Sequence, residues 1–437
     1  MNKNDVLKLE IIGMTLQGDG IARHDGVPVF VPGTCPGDVA NVRIIKQKPG
    51  FAAGKLVEVV TPSPRRADPR CEAYPACGGC AFRCCDYAFE LETKQRELRE
   101  TLRRIGDIAA PLREIVGAAS CDGYRNKALL PVEGDRAGFY ARHSHRVVPC
   151  DGCKLAPPQF QTLTQTVMAW RRRHDPNGNL RHIYLRAAAD QTTVCLVTHQ
   201  HKIPKIDALV ADLLACGVPV TGLLCNHGGD ANVVLGPNFH TLWGQPCLEV
   251  SLAGVALRVS PGAFLQVNLP QAEQLYAIAK DYATRGGGGG HLLDLYCGTG
   301  SIGLCMAGAF KTLTGVEIVP QAVKNANENA ARNHIANARF LAMDAFAAAE
   351  QLAREAWKPD VALLDPPRKG CDAALLRLLA TAFAPRRIVY ISCAPATLAR
   401  DLRLLAAYGY ATREVAPVDM FPRTGHVECV ALVERAT

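Results

Sequence analysis

Residues 260–437 alternate short apolar runs, LLDLY, LTGVEI, ARFLAMD, VALLDPP and RIVYIS, with segments whose apolar positions recur at helical spacing. Apolar runs of strand length joined by amphipathic helices predict a buried parallel sheet wound on both faces, an α/β domain. Residues 1–60 follow a different rhythm. VLKLEIIGM, VPVFVPG, VANVRIIK and GKLVEVVTP are rich in Val and Ile, with Gly-Asp-Gly, Asp-Gly and Pro-Gly breaks between them. Several short strands with no intervening helix predict a small barrel of OB size. TPSPRRADPR then reads as a linker. A helix is expected from Asp86 to Ile105, with Leu91, Leu98, Leu102 and Ile105 on one face, polar residues elsewhere and Gly106 as a stop signal. Strand-like runs dominate from Ile115 to Val259, mixed with helices near 158–173 and 203–216, which predicts a second β-containing domain. The run Gly286 to Gly290 reads as a flexible bend before the first strand of the α/β domain.

A length of 437 residues implies two or three domains. Hydrophobic and charged fractions of 48% and 21% are those of an ordinary folded soluble chain. No apolar stretch reaches membrane-spanning length and MNKNDVLKLE has no apolar signal core, so the expectation is a cytoplasmic protein without membrane contact. The net charge of +8 is modest, but it is unevenly spread. Between Asn41 and Arg70 seven Lys or Arg face only Glu58 and Asp68, a segment able to contact phosphates or simply to be solvated. Eighteen cysteines in a chain without a secretion signal point to metal binding or catalysis rather than disulfides.

The candidate chemistry gathers at strand ends. In IVYISCAPATLARDL an apolar run stops at Cys393, and the carboxyl end of a strand is where open α/β sheets keep their ligands. HLLDLYCGTGSIGLCMA is strand, glycine loop and helix, the loop offering N–H groups at a helix N-terminus. Glu317 ends the next strand-like run, where an acid would bond ribose hydroxyls. Asp344 in FLAMDAF suits an adenine, and LLDPPRKG places Asp365 after a further apolar strand in a loop stiffened by two prolines. Glu428 precedes another apolar run. Together these suggest a thiol nucleophile, a nucleotide-like cofactor and a carboxylate base. Cys297 and Cys429 are rival thiols, the first in the cofactor loop and the second expected on the opposite strand face from Glu428. Cys71, Cys77 and Cys80 form C-x5-C-x2-C, a spacing that zinc and a four-iron cluster both accept.

D-x-x-C-G-x-G resembles the S-adenosylmethionine loop of class I methyltransferases. CEAYPACGGC, GYRNKALLPV, FLQVN, LDLYCGTGS, GVEIVPQAVKNANEN, LLDPPRKG, SCAPATLARDL and TGHVECVALVER occur in an order that resembles the RNA uracil-C5 methyltransferase family, specifically its iron–sulfur, TRAM-containing branch that modifies ribosomal RNA. The resemblance implies a class I Rossmann-like methyltransferase domain (86–114 and 260–437), an N-terminal OB-like TRAM barrel (1–60) and a central β-containing iron–sulfur domain (61–85 and 115–259). It assigns the nucleophile to Cys393 and the base to Glu428, and places S-adenosylmethionine against Gln266, Tyr296, Glu317, Asp344 and Asp365. Tyr296 stands where phenylalanine is common. Ser301, where asparagine is frequent, is carried over as a further cofactor contact. Arg368 occupies the aromatic position of the D-P-P-[YF] loops of amino-methylating enzymes, which favours carbon methylation.

The same resemblance implies a [4Fe–4S] cluster on Cys71, Cys77, Cys80 and Cys153, with Cys150 a competitor for the fourth position and Cys84 and Cys85 nearby. Arg125 and Lys127 are expected to meet RNA phosphates. The implied partner is RNA, specifically 23S ribosomal RNA, bound by a monomer. Transfer RNA methylation and an inactive iron–sulfur RNA-binding protein are the alternatives. The chemistry has its own logic. Uracil C5 is too weak a carbon nucleophile for a sulfonium methyl until a thiolate adds at C6, and a base must then remove the C5 proton so that the thiol can leave.

Overall fold

The computed structural model describes residues 1–150, 152–228 and 233–436. At the N-terminus are β1 (Val6–Glu10), β2 (Gly13–Met14), β3 (Asp19–His24), β4 (Val27–Pro32), β5 (Val39–Lys48) and β6 (Phe51–Thr61). They form one sheet in the order β1-β5-β6-β4-β3-β2, curled round Leu9, Ile11, Val29, Val31, Val42 and Ile44. Register shifts along the β5–β6 pair supply the bending that lets so few strands wrap a core. TPSPRRADPR is not a free linker, because it is bolted to the barrel. The buried Asp38 accepts from Arg66 Nη2 at 2.6 Å and from the Ser63 amide at 2.9 Å. Burial alone would raise the Asp38 carboxyl, but Arg66 and the amides of Cys35 and Ser63 outweigh it and hold the group below its ordinary range.

Helix α1 (Tyr87–Gly106) starts at Asp86, whose side chain accepts from the Phe89 amide, and ends at Asp107 with φ 52°. Leu98 and Leu102 are buried as expected, but Ile105 is 38% exposed while Glu90 and Lys94 are sealed inside. The central region holds β7 (Lys127–Glu133), β8 (Arg136–Tyr140), β9 (Val147–Pro149), α2 (Gln159–His174), β10 (Leu180–Ala188), β11 (Gln191–Thr198), α3 (Ile206–Ala215), β12 (Val220–Asn226) and β13 (His240–Gly244). Its sheet runs β13-β12-β11-β10-β7-β8-β9, and α2 and α3 cover a core of Phe160, Leu163, Trp170, Ile183, Leu185 and Leu196. The hairpin β14 (Leu248–Leu252) and β15 (Val255–Val259) shares its apolar core with the C-terminal sheet rather than the central one.

That C-terminal sheet is built from α4 (Leu269–Thr284), β16 (His291–Leu295), α5 (Ser301–Met306), β17 (Thr312–Glu317), α6 (Pro320–Arg332), β18 (Ala338–Ala342), α7 (Ala345–Arg354), β19 (Val361–Leu364), α8 (Ala373–Leu378), β20 (Arg387–Ser392), α9 (Pro395–Ala407), β21 (Tyr410–Val418) and β22 (Glu428–Arg435). The order is β18-β17-β16-β19-β20-β22-β21, with the first five parallel and β22 antiparallel to both neighbours. Separate apolar cores cover the two faces, so β19 and β20 are buried along their whole length. The strand order reverses between β16 and β19, and the crevice beyond their carboxyl ends is the ligand position this topology creates. Among the described residues no helix is long and apolar enough to cross a membrane.

Candidate active site

The crevice is acidic at its floor. Asp294, inside β16, is 1% exposed and among the described residues its Oδ2 has no partner. Burial first, then the charges of Asp365 and Glu317, push its carboxyl well above the ordinary range. Asp365 follows β19, and burial pushes its carboxyl up to about 7. Beyond β16 the chain turns through Tyr296 at φ 65°, a conformation that side chains rarely adopt and that marks functional loops. Glu317 braces this loop, its Oε2 accepting from the Gly298 amide at 3.2 Å and its Oε1 from the Val319 amide at 2.9 Å. Ser301 opens α5 and its hydroxyl lies 2.9 Å from the Tyr276 hydroxyl. Asp344 caps α7, accepting from Phe346 and Ala347. Gln266 is buried just before α4, its carbonyl accepting from Asn126 Nδ2 at 2.9 Å.

Next along the same sheet edge stand Cys393 and Glu428. Ser392 of β20 pairs with Cys429 of β22, so the residues one step outward, Cys393 and Glu428, come together at the sheet's end. Their mutual influence is visible in the electrostatics. Burial and then the Glu428 charge raise the Cys393 thiol, while Arg368 opposes both. Burial and then Asp365 hold the Glu428 carboxyl well above its ordinary range, Arg368 again opposing, and among the described residues Glu428 Oε2 has no partner. Cys429 is wholly buried on the core side. Cys297 is also a buried thiol, packed in the core beside the glycine loop.

Arg368 is aimed by a rigid loop. Asp401 of α9 accepts from the Cys371 amide at 2.9 Å and from the Tyr390 hydroxyl at 2.5 Å. Arg400 Nη2 donates to the Lys369 carbonyl at 3.0 Å, and Thr397 Oγ1 to the Arg368 carbonyl at 3.2 Å. Gly370 has φ 77°, and a Cβ there would sit 2.5 Å from both Arg400 Nη2 and Asp401 Oδ2, so only glycine closes this turn.

A nucleotide-type loop, a rigid Asp-Pro-Pro loop and a paired thiol and carboxyl at one sheet edge narrow the comparison with known proteins. The tRNA (Uracil-5-)-methyltransferase family matches residues 86–436, and the TRAM domain matches residues 3–57. The chain belongs to the tRNA (uracil-5-)-methyltransferase family. An uncharacterized RNA methyltransferase of Bacillus cereus is 36% identical, over 99% of this chain and 97% of the relative. One from Clostridium tetani is also 36% identical, with the same coverage. In three dimensions the chain is similar to Pyrococcus abyssi tRNA (uracil-54, C5)-methyltransferase, solved with S-adenosyl-L-homocysteine. The TM-score is 0.78 at 24% identity, covering 98% of this chain and 99% of that one.

In this family member the cysteine-rich segment folds beside the central sheet. Cys71, Cys77, Cys80, Cys150 and Cys153 line a single pocket together with Arg125. Among the described residues no three His, Cys, Asp or Glu side chains stand close enough to hold a metal ion. Cys150 donates to Cys153, which with the amides of Leu155 and Ala156 and the Arg125 charge brings the Cys153 thiol down to about 6. Cys84 and Cys85 are elsewhere, buried against Cys35 and Tyr74, whose hydroxyl lies 3.0 Å from Cys84 Sγ. Arg125 therefore faces thiols, and Lys127 is half-buried, with burial lowering its ammonium.

Three features escaped the sequence reading. Asp294 was given no role, although a charged residue inside the run LLDLY was a signal. Arg368 was read only as the residue in the aromatic position of the loop, yet its charge acts on both the Cys393 thiol and the Glu428 carboxyl. The buried pair of Glu90 and Lys94, joined to Asp419 at 2.7 Å, could not be found from spacing alone.

Proposed function

We propose that this uracil-C5 RNA methyltransferase modifies a uridine of 23S ribosomal RNA, with Cys393 as nucleophile and Glu428 as base. The observation that carries the reading is the meeting of a half-buried thiol and a sealed, unpartnered carboxyl at the carboxyl edge of β20, beside the Asp365 loop. Gln266, Tyr296, Ser301, Glu317, Asp344 and Asp365 would hold S-adenosylmethionine, which supplies an electrophilic methyl group. Glu317 already orders the glycine loop, and Asp365 offers a carboxylate to a cationic ligand.

Cys393 adds to C6 of the pyrimidine, and Arg368 stabilises its thiolate. C5 takes the methyl as the sulfonium S–CH3 bond of the donor breaks and its sulfur keeps the electron pair as a thioether, after which Glu428 takes the C5 proton and the C6–S bond breaks to release the thiolate. A carboxyl that burial holds above its ordinary range is the stronger base once ionised. Replacing Glu428 with Gln should trap a protein–RNA adduct on denaturing gels, and Cys393→Ala should form none. Full turnover by Cys393→Ala would overturn the reading.

The target assignment rests on the N-terminal barrel and the thiol-lined pocket, features that the resemblance assigns to the ribosomal branch. The thiols of Cys71, Cys77, Cys80 and Cys153 line one pocket with Arg83 and Arg125 but stand too far apart here to share a metal, so a [4Fe–4S] cluster of structural or RNA-facing role is inferred from the resemblance of CEAYPACGGC to the iron–sulfur branch. Protein purified without oxygen should carry about four irons and absorb broadly near about 400 nm. Stoichiometric zinc would overturn the cluster. Methylation of transfer RNA is the second reading, favoured by the family description and by the substrate of the similar Pyrococcus protein. Mapping 5-methyluridine in both RNAs of a deletion strain decides between them.

A further inference from the structure

The segment from Asp419 to Val427, which delivers Glu428 to the sheet edge, has no secondary structure of its own, and its fixed shape comes from neighbours drawn from every part of the chain. Asp419 is sealed from solvent, accepting from Lys94 Nζ and from the Tyr87 hydroxyl, each at 2.7 Å. The Pro422 carbonyl accepts from the Tyr124 hydroxyl at 2.9 Å. Gly425 lies so close to the barrel that a Cβ would sit 2.0 Å from the Leu16 carbonyl.

Arg423 is where most of these ties converge. Its carbonyl accepts from the amides of Ala81 and Phe82, the two residues after Cys80, at 2.7 and 3.1 Å. Its amide donates to Glu90 Oε1 at 2.7 Å, and its guanidinium donates to the Cys85 carbonyl at 2.9 Å and lies 3.6 Å from Glu90 Oε2. The guanidinium also stacks over Tyr87 at 5.5 Å. The residue holds φ 70°, a backbone conformation that only such dense surroundings maintain. Two buried anions, Glu90 and Asp419, are thus balanced by two cations, Lys94 and Arg423.

We propose that Arg423 is a positioning residue for Glu428, fastening the cysteine-rich loop to the strap that carries the base. The proposal rests on the assignment of Glu428 above. Cys393, at the end of β20, and the glycine loop beyond β16 make none of the contacts of Arg423, so release of the strap there displaces the base while the thiol and that loop keep their own supports. The step that suffers is therefore removal of the C5 proton, so the methylated ring stays bonded to Cys393 through C6.

The test uses the full-length protein, a uridine-containing RNA substrate and S-adenosylmethionine. Because Arg423→Ala leaves buried acids uncompensated and risks misfolding, the informative variant is the charge-balanced pair Arg423→Gln with Glu90→Gln, alongside Arg423→Lys. The paired variant should bind S-adenosylmethionine within about twofold of wild type, lose at least about tenfold in turnover, and accumulate the denaturant-resistant RNA adduct; Arg423→Lys should recover part of the release. A drop in turnover without accumulated adduct, or unchanged turnover, overturns the proposal. Glu428→Gln and Cys393→Ala run on the same gel separate this failure from that of the underlying chemistry, since absence of adduct in Glu428→Gln would remove the reaction itself.

Discussion

Donor binding should weaken on the acid side of neutrality, and Asp365 sets where. Its carboxyl is pushed up to about 7 by burial, whereas an unperturbed aspartate titrates at 3.8. The sign is fixed by this direction. With the folded-state value raised, the ligand-free fold is favoured with the carboxyl protonated. That contribution is intact below about pH 4 and is lost as pH climbs through about 7. A cationic donor needs the opposite form. If only the carboxylate binds it, the apparent Kd grows by a factor of 1 + 10^(pKa − pH), about 11 at pH 6 and about 1.1 at pH 8. The difference is about tenfold, on the order of 1.4 kcal/mol. Equilibrium dialysis of labelled S-adenosylmethionine from pH 6 to pH 8 measures it directly. Asp365→Asn should bind weakly at every pH with the slope flattened. It should also lower the Glu428 and Asp294 carboxyls, both of which Asp365 now raises. A flat wild-type profile, or an unchanged slope in Asp365→Asn, refutes the reasoning.

Alkylation of Cys393 by iodoacetamide should keep accelerating beyond pH 9, because burial and Glu428 raise this thiol, and Arg368→Ala should slow it further; a plateau below pH 8 would contradict that environment. Lys94→Met leaves Glu90 and Asp419 buried without their shared cation, and should cost about 3–5 kcal/mol in urea unfolding. Gly370→Ala should displace the loop that aims Arg368, costing about 1–2 kcal/mol of stability and most of the turnover while the barrel and central sheet stay folded. Circular dichroism with single-turnover methylation checks both parts.

The parallel sheet was legible because buried central strands read as uninterrupted apolar runs, and β19 and β20 are sealed over their full length. In the barrel, β3 was missed. Its residues DGIARH carry a glycine and three ionisable groups, so the alternation that buries Gly20 and Ala22 is hidden among polar neighbours. The face of α1 was half right. Leu98 and Leu102 mark the stripe that packs on α9, but Lys94 reads as a solvated residue until Asp419, far along the chain, is seen to meet it. Spacing within a helix carries no information about a partner brought in by tertiary folding. The same limit hid Arg423, whose importance lies in which loops its backbone bonds. Cys393 and Glu428 were visible as strand-end residues, whereas their juxtaposition depends on the antiparallel register of β20 and β22, which neither run discloses alone.

That register also has a timetable. Cys393 rides on a strand made early enough to join the parallel array, while Glu428 is threaded in by a later strand running the other way. A nascent chain released at Phe421 would already contain Cys393 and the strands of the crevice, yet it would lack Glu428. During synthesis the carboxyl arrives last, when β22 slots between its two neighbours, so the pairing that brings Glu428 to Cys393 is also the step that completes this edge of the sheet.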